Sequence, residues 1–183
     1  MKLTTIIDEI KALCPTFENR VAGAAEYQDL RNVSNMMVPA AYVIPLDDNA
    51  QAVTIKNTYR QDLIEGFAVI VVVNNTADER GQAARNAVHD LKLELWKCLL
   101  GWDFDNDYEP IEYSGGQLIG MDRARLDFQF EFSAEFQINE SLTRPGVDLA
   151  NAPAFESMNI ELNIQDLPPD GTVDHAIDIT LEQ

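Results

Sequence analysis

The chain has 183 residues and a formal net charge of −18, with 13 lysine and arginine residues against 31 aspartate and glutamate residues. Binding to nucleic-acid phosphates needs clustered cations, so this balance excludes general nucleic-acid affinity. Hydrophobic residues make up 46% of the chain, which is enough for one globular domain with a core. No run of about 18 apolar residues occurs, so we expect no membrane-spanning helix.

The first residues predict an amphipathic helix that starts at Thr4 or Thr5 and ends near Pro15. Its apolar side holds Ile6, Ile7, Ile10 and Leu13. Acidic residues at positions 8 and 9 would interrupt the apolar region of a signal peptide, so we expect no secretion. Cys14 and Cys98 match no paired-cysteine spacing, and we expect two small buried thiols in a reduced compartment.

Residues 40–60 predict a hairpin arm. A short strand fits 40–44, a turn follows at Asp47-Asp48-Asn49, and a return strand would contain Val53, Ile55 and Tyr59. The tip, from Asp47 through Asp48 to Lys56, is charged and is predicted to be a contact or lumen element.

A central strand and a long helix come next. Residues 67–73 are apolar without alternation, which is typical of a strand covered on both faces. Thr76 and Glu79 then form a capping-box pattern, and Gly101 is suited to ending a helix. We therefore predict a helix over 77–100 whose buried stripe contains Ala84, Val88, Leu91, Leu95 and Leu99.

A second strand is predicted over 125–138, where apolar and polar residues alternate almost perfectly. Its apolar side is rich in phenylalanine and is expected to lie under the helix stripe. Its other side is polar and acidic: Asp127, Gln129, Glu131, Ser133, Glu135 and Gln137. A strand of roughly 40 Å is long for a domain of this size. The acidic side, the arginine-flanked start and the preceding loop are predicted to serve in assembly.

The loop before this strand is rich in acidic residues: Asp103, Asp105, Asp107, Glu109 and Glu112. The spacing of the first four is that of a calcium loop, but Tyr108 replaces the required glycine and Ser114 the bidentate glutamate. A solvated or subunit-contacting loop is the favoured reading, and a metal site is the alternative. Gly115 and Gly116 are predicted to turn the chain into the long strand.

Arg123 and Arg125 flank the start of the long strand. They are predicted to pair either within the chain, with Asp127 or a neighbouring strand, or across a subunit boundary. Trp96 and Trp102 flank the helix end and are expected to anchor the core, or to mark an interface if exposed. No histidine, cysteine or serine pattern indicates a catalytic site or a cofactor.

Arg144-Pro145-Gly146 predicts a break, followed by a linker at 150–154 and a C-terminal hairpin on either side of a turn at 167–171. Eight acidic and no basic residues follow Arg144. This negative charge has two interpretations: it forms a surface that keeps the protein soluble, or a surface that repels DNA.

Several segments together resemble the phage tail terminator proteins of long-tailed phages and prophages. They are YRQ at 59–61, FAVIVVV at 67–73, DERGQAA at 78–84, LWKCLLGW at 95–102, YEPIEYSGGQL at 108–118 and MDRARLDFQFEFSAEF at 121–136. The resemblance covers about residues 38–140, and the C-terminal hairpin more loosely. It implies a structural protein without catalytic site, cofactor or metal.

The resemblance further implies a ring of six copies that caps the head-proximal end of the tail tube, terminates tube polymerisation and joins the head. The implied partners are the major tail tube protein and the head-tail connector or stopper, with DNA passing through the lumen unbound. The implied localisation is the virion tail, after assembly in the host cytoplasm. Arg123 and Arg125 are then expected to stabilise a ring interface.

The predicted fold class is α+β, with a mixed, largely antiparallel sheet packed against helices and with hairpin extensions. We expect a tail-terminator-like domain over 1–146, and an acidic linker with a hairpin over 147–183. Three other functions remain open at this stage: a head-tail stopper or connector ring, a metal-dependent enzyme built on the Asp103 to Glu109 loop, and a module that binds a host protein.

Overall fold

A computed structural model describes residues 1–25, 27, 37–53, 58–75, 82–153, 157–162 and 175–180. It divides into two compact units, Met1–Glu140 and Ser141–Gln183, each considered by itself. Within the described residues no helix is both long and apolar enough to cross a membrane.

The first unit is built on a sheet of six described strands. They are β1 Val21–Gly23, β2 Ala40–Pro45, β3 Asn49–Ala50, β4 Arg60–Asn74, β5 Glu112–Met121 and β6 Arg125–Asn139. Their order is β1-β2-β4-β6-β5, with β3 also paired to β4. Among these described strands only the pairing of β1 with β2 is parallel. With the helices α1 Leu3–Leu13 and α2 Ala83–Leu99, this sheet confirms the predicted α+β class.

The two longest strands, β4 and β6, pair antiparallel along their whole length, from Arg60 opposite Asn139 to Asn74 opposite Arg125. Each has 15 residues, so the pair is roughly 50 Å long. The apolar centre of β4 is buried at every position from Phe67 to Val73, which confirms the predicted central strand.

One face of the sheet packs against α1 and α2 in a single hydrophobic cluster. The predicted stripe of α2 is buried throughout, and it shares this cluster with Phe130, Phe132 and Ala134 of β6. The phenylalanine side of β6 is therefore core, as the alternation predicts. In α1, Ile6 and Ile10 are buried, but Leu13 is 54% exposed, so its predicted place on the apolar side is wrong.

The end of α2 is as predicted, because Gly101 has a φ of 73° and follows the last turn. Its start is not, because Gln82 lies outside the helix, which begins at Ala83. The predicted cap at Thr76 and Glu79 lies outside the described residues.

The predicted hairpin over residues 40–60 is wrong in its pairing. Strand β2 pairs with β4, from Ala40 opposite Val72 to Pro45 opposite Phe67. Val53 and Tyr59 belong to no strand, and Ile55 lies outside the described residues. The buried centre of β4 offers β2 an apolar partner, which is a more favourable site than a polar arm in water.

The predicted turn at Gly115 and Gly116 is also wrong, because both glycines lie inside β5. The register of β5 against β6 shifts after Tyr113 and again after Leu118, so the strand carries bulges. A Cβ at Gly116 would lie 2.7 Å from the Tyr113 hydroxyl and 2.9 Å from Cε1 of Phe128. Glycine is needed there for close packing, and the chain turns at residues 122–124 instead.

The second unit contains a helix, α3 Arg144–Ala150, and an antiparallel hairpin of β7 Ser157–Leu162 and β8 His175–Thr180. The hairpin confirms the prediction, whereas the predicted break at Arg144-Pro145-Gly146 is wrong. Thr143 caps the helix by accepting a hydrogen bond from the Gly146 amide at 3.3 Å. Proline is compatible with a first helical turn, so it begins this helix and does not interrupt it.

Candidate assembly surfaces

The acidic loop between α2 and β5 is held against the sheet by Tyr108. The backbone amide of Tyr108 donates to the Asp105 carbonyl at 3.0 Å, and the Asp107 amide donates to the Asp105 carboxylate at 3.2 Å. Tyr108 bridges to Phe136 of β6, with the two ring centroids 5.0 Å apart. The loop is therefore built by local turns and is docked by aromatic packing.

Charges from both predicted acidic loops act on the side chain of Tyr108. Its pKa is raised by burial, then by a hydrogen bond to Glu65, and then by the negative charges of Glu65, Asp105 and Asp48. The register agrees, because Pro45 at the end of β2 pairs with Phe67, one row away from Glu112 at the start of β5. The loop after β2 and the loop after α2 therefore lie at the same end of the sheet. We call this region the acidic end: Asp47, Asp48, Glu65, Asp103, Asp105, Asp107, Glu109, Glu112 and Glu135.

A cleft of about 470 Å³ opens at the acidic end, and three of its lining residues are Glu109, Glu112 and Glu135. The Glu109 amide donates to the Glu135 carbonyl at 2.8 Å, which fixes the loop along β6. In the part of the chain that is described, no three histidine, cysteine or acidic side chains are placed to hold a metal ion. The cleft therefore presents negative charge without a metal-binding geometry.

Arg123 and Arg125 lie at the opposite end of the sheet, in and after the turn from β5 to β6. The Arg125 guanidinium Nε is 3.7 Å from a carboxylate oxygen of Asp122, whereas Arg123 is exposed. Arg125 therefore pairs within the chain, as one predicted alternative required, although with Asp122 and not with Asp127. We call Arg123 and its turn the arginine end.

The turn at the arginine end is organised by Asp122. Its carboxylate accepts hydrogen bonds from the amides of Ala124 at 2.7 Å and Arg125 at 2.9 Å. Hydrogen bonds from the Arg125 and Ala124 amides hold the Asp122 pKa below its ordinary value of 3.8. The folded state therefore favours the charged carboxylate of Asp122. This carboxylate stabilises the turn above pH 3.8, and the stabilisation is lost as the pH falls through the lower pKa of the folded state.

We predict that Asp122→Ala speeds hydrogen exchange at the amides of Ala124 and Arg125 at neutral pH. The difference in exchange rate between the wild type and the variant should disappear as the pH falls below 3.8. Exchange measured by nuclear magnetic resonance checks this, with Asp90→Ala on α2 as the control. Equal protection of the two amides in the wild type and in Asp122→Ala would contradict the prediction.

Strand β5 forms the outer edge of the sheet and connects the two ends. Its side chains include two exposed apolar residues, Leu118 at 51% and Met121 at 66%. From the Arg125 row of the ladder to the Phe136 row the strands extend about 36 Å. The predicted site residues are thus divided between two distant and oppositely charged places.

The polar side of β6 is only partly available for contacts. Asp127 is just 6% exposed and accepts a hydrogen bond from the Tyr27 hydroxyl at 3.3 Å, so its predicted role in an open acidic surface is wrong. Glu131 accepts from the side-chain amides of Gln117 and Gln129, at 3.1 and 2.7 Å. Only the part of this face toward the acidic end remains exposed.

The two tryptophans lie close to the core. Trp96 packs edge-on against Tyr113 at 5.0 Å between centroids, and Lys92 lies 4.9 Å from the Trp96 ring centre. Trp102 packs against Phe104. Both are only half-buried, so they fit the expected role of anchors at the edge of the core.

Sequence reasoning missed Glu65 as a member of the acidic end, and it predicted Glu135 only as part of the acidic side of β6. Lys56 lies outside the described residues. Glu65 also contacts the amino terminus of Met1 in an ion pair. The sequence contains a signal for each residue. Alternation in β6 places Glu135 on the exposed side, and Glu65 lies two residues before the buried run of β4 that starts at Phe67. Their proximity to Tyr108 depends on the sheet register, which alternation does not specify.

A comparison with known families matches most of the chain to one family. The family model described as "Phage tail terminator protein" matches residues 1–144. The chain belongs to the phage tail terminator family. Among curated proteins, none matches the chain.

As a member of the tail terminator family, the chain is a structural component of a phage tail and hence of the virion. The match includes both candidate surfaces, because the acidic end and the arginine end lie within residues 1–144. Members of this family of structural proteins interact with other components of the phage tail or head.

Proposed function

We propose that this chain caps the head-proximal end of the phage tail tube as a ring, stops tube polymerisation and forms the surface that joins the head. The family match over residues 1–144 carries this proposal. The ring contains six copies, as the resemblance implies. Its partners are the major tail tube protein on one side and the head-tail connector or stopper on the other.

The charge distribution of the first unit supports ring closure. Head-to-tail contacts join two different, complementary surfaces of neighbouring copies, and they close into a ring when the rotation between copies closes. The acidic end and the arginine end differ in charge, and they lie at opposite ends of the β5 and β6 ladder. Complementary potentials of this kind fix the orientation in which two copies meet.

The net charge supports a lumen that does not hold DNA. Each copy carries a formal charge of −18, and a ring multiplies that charge. Acidic surfaces repel phosphates, so DNA passes without specific binding. Asp47, Asp48, Lys56 and the acidic residues of the Asp103 to Glu112 loop are proposed as contact or lumen elements. The predicted division into residues 1–146 and an acidic extension over 147–183 stays part of the proposal.

A phage from which this gene is deleted tests the function. We expect overlong tails without heads, because tube growth then has no stop and the head has no joining surface. Electron microscopy of lysates measures tail length and attachment, and expression of the wild-type chain in trans is the control. Tails of normal length that lack heads would favour a stopper or connector, and normal virions would contradict both.

Charge-reversal variants test the two surfaces. Arg123→Glu and Glu112→Lys should each reduce the yield of finished virions in the complementation assay by at least about tenfold, the effect of 1.4 kcal/mol at a contact. The double variant should recover much of the loss, because it restores opposite charges in reversed order.

Arg85→Glu is the matched control for Arg123→Glu, since Arg85 is also exposed but lies on α2, in neither the turn at 122–124 nor the acidic loop. It makes the same change in net charge as Arg123→Glu without altering either proposed surface, so we expect it to complement normally. Folding of each variant is checked by circular dichroism. A double variant no better than the two singles would contradict the pairing of these ends, while leaving the capping function to the deletion test.

A further inference from the structure

The two cysteines of the chain are buried in the same hydrophobic cluster, although 84 positions separate them in sequence. Cys14 follows the last residue of α1 and is fully buried, and Cys98 lies in the last turn of α2 and is 6% exposed. Both are free thiols. The Thr16 amide also donates to the Glu94 carboxylate at 3.2 Å, so the chain after α1 is fixed to α2 one turn before Cys98.

The two thiols are close enough to shift each other's pKa. The interaction with Cys98, followed by burial, raises the pKa of Cys14, and the interaction with Cys14 lowers the pKa of Cys98. The carboxylates of Glu94 and Glu9 act in the opposite direction on Cys98 and disfavour its thiolate. Cys98 is therefore the member of the pair that forms the reactive thiolate more readily.

We propose that Cys14 and Cys98 are a disulfide-forming pair, which closes when the protein meets a disulfide oxidant such as oxidised glutathione. The thiolate of Cys98 attacks one sulfur of glutathione disulfide and releases the first glutathione thiolate. Cys14 then loses its proton and attacks the mixed disulfide at the Cys98 sulfur, releasing the second. Two electrons pass to the oxidant, and the two protons end on two glutathione thiols.

The bond would tie the C-terminal end of α1 to that of α2 and close a loop of more than 80 residues. Closing a long loop restricts the unfolded chain, so the folded protein gains stability. Reducing conditions in a host cell keep the pair as thiols, and oxidising surroundings outside it favour the disulfide. The pair thus stabilises the protein after assembly, when its surroundings change.

Incubation of reduced, folded protein with oxidised glutathione tests the proposal. The intact mass should fall by two hydrogen atoms without a glutathione adduct, and a non-reduced digest should contain a peptide joining Cys14 to Cys98. The thermal midpoint should rise by on the order of 10 °C, and a reductant should reverse the rise. Glu94→Gln should speed closure, because it removes one of the two facing carboxylates and retains an acceptor for Thr16.

Cys14→Ser and Cys98→Ser are the control variants, and Cys98→Ala is a second choice if the serine is poorly tolerated. None should lose the two hydrogen atoms or gain thermal stability with oxidant. A wild-type protein that stays reduced overnight at about pH 8 would overturn the proposal, as would one that accumulates glutathione adducts. An equal rise of the midpoint in the wild type and Cys14→Ser would also overturn it.

Discussion

Replacing Phe132 with alanine is expected to lower the free energy of unfolding by about 3–5 kcal/mol. Phe132 is fully buried in β6, and its ring lies 5.4 Å from that of Phe67 and 5.6 Å from that of Tyr113. The truncation leaves a cavity between the central strand and the sheet edge, and it removes two aromatic contacts. Urea unfolding followed by circular dichroism measures the change.

Phe136→Ala is the matched control on the same strand. Phe136 is only half-buried and packs against Tyr108 at the acidic end. We expect a clearly smaller loss, because the space left is open to water and no closed cavity forms. If Phe136→Ala cost as much as Phe132→Ala, the core would not lie where the structure places it.

The second large effect is expected at Leu95 of α2. Its side chain is fully buried in the cluster that joins α2 to the sheet. Leu95→Ala should cost about 2–5 kcal/mol of unfolding free energy, from lost burial and from the cavity left behind. Urea denaturation measures this cost, provided that the dependence of the unfolding free energy on urea concentration is the same in both proteins.

Leu93→Ala provides the comparison within the same helix. Leu93 is 37% exposed and lies outside the buried stripe. Alanine has the higher helix propensity, so the change should fall within about 1 kcal/mol. Equal costs at the two positions would mean that α2 does not present this stripe to the sheet.

Elements with strong local patterns could be predicted from the sequence. The alternation in β6 and the spacing of the α2 stripe both follow from burial of one side of a regular element, so they are visible in a single segment. Gly101 ends α2 because a positive φ suits glycine. The C-terminal hairpin also shows in its two alternating segments.

Features that depend on distant partners could not be predicted. The pairing of β2 with the centre of β4, and the meeting of the Asp48 and Asp105 loops around Tyr108, are set by sheet register. The glycines of β5 resemble turn signals, yet they serve bulges and close packing. Likewise, Cys14 and Cys98 become neighbours only through the packing of α1 on α2.

The candidate site was predicted in composition more than in arrangement. Charge and position in the sequence predict both the acidic loop and Arg123 as contact elements. Their location at opposite ends of one ladder follows from the topology, because β5 and β6 are antiparallel neighbours. Because of that separation, the proposed ring contact uses two different surfaces, one from each of two neighbouring copies.

We propose that this chain stops the growth of a phage tail tube. The direct test is to add the purified protein to tubes that are assembling from the major tail tube protein and to follow tube length over time by electron microscopy. We expect extension to stop and a ring to be visible at one end of each tube. Continued extension at the same rate, with folded protein present in excess, would contradict it.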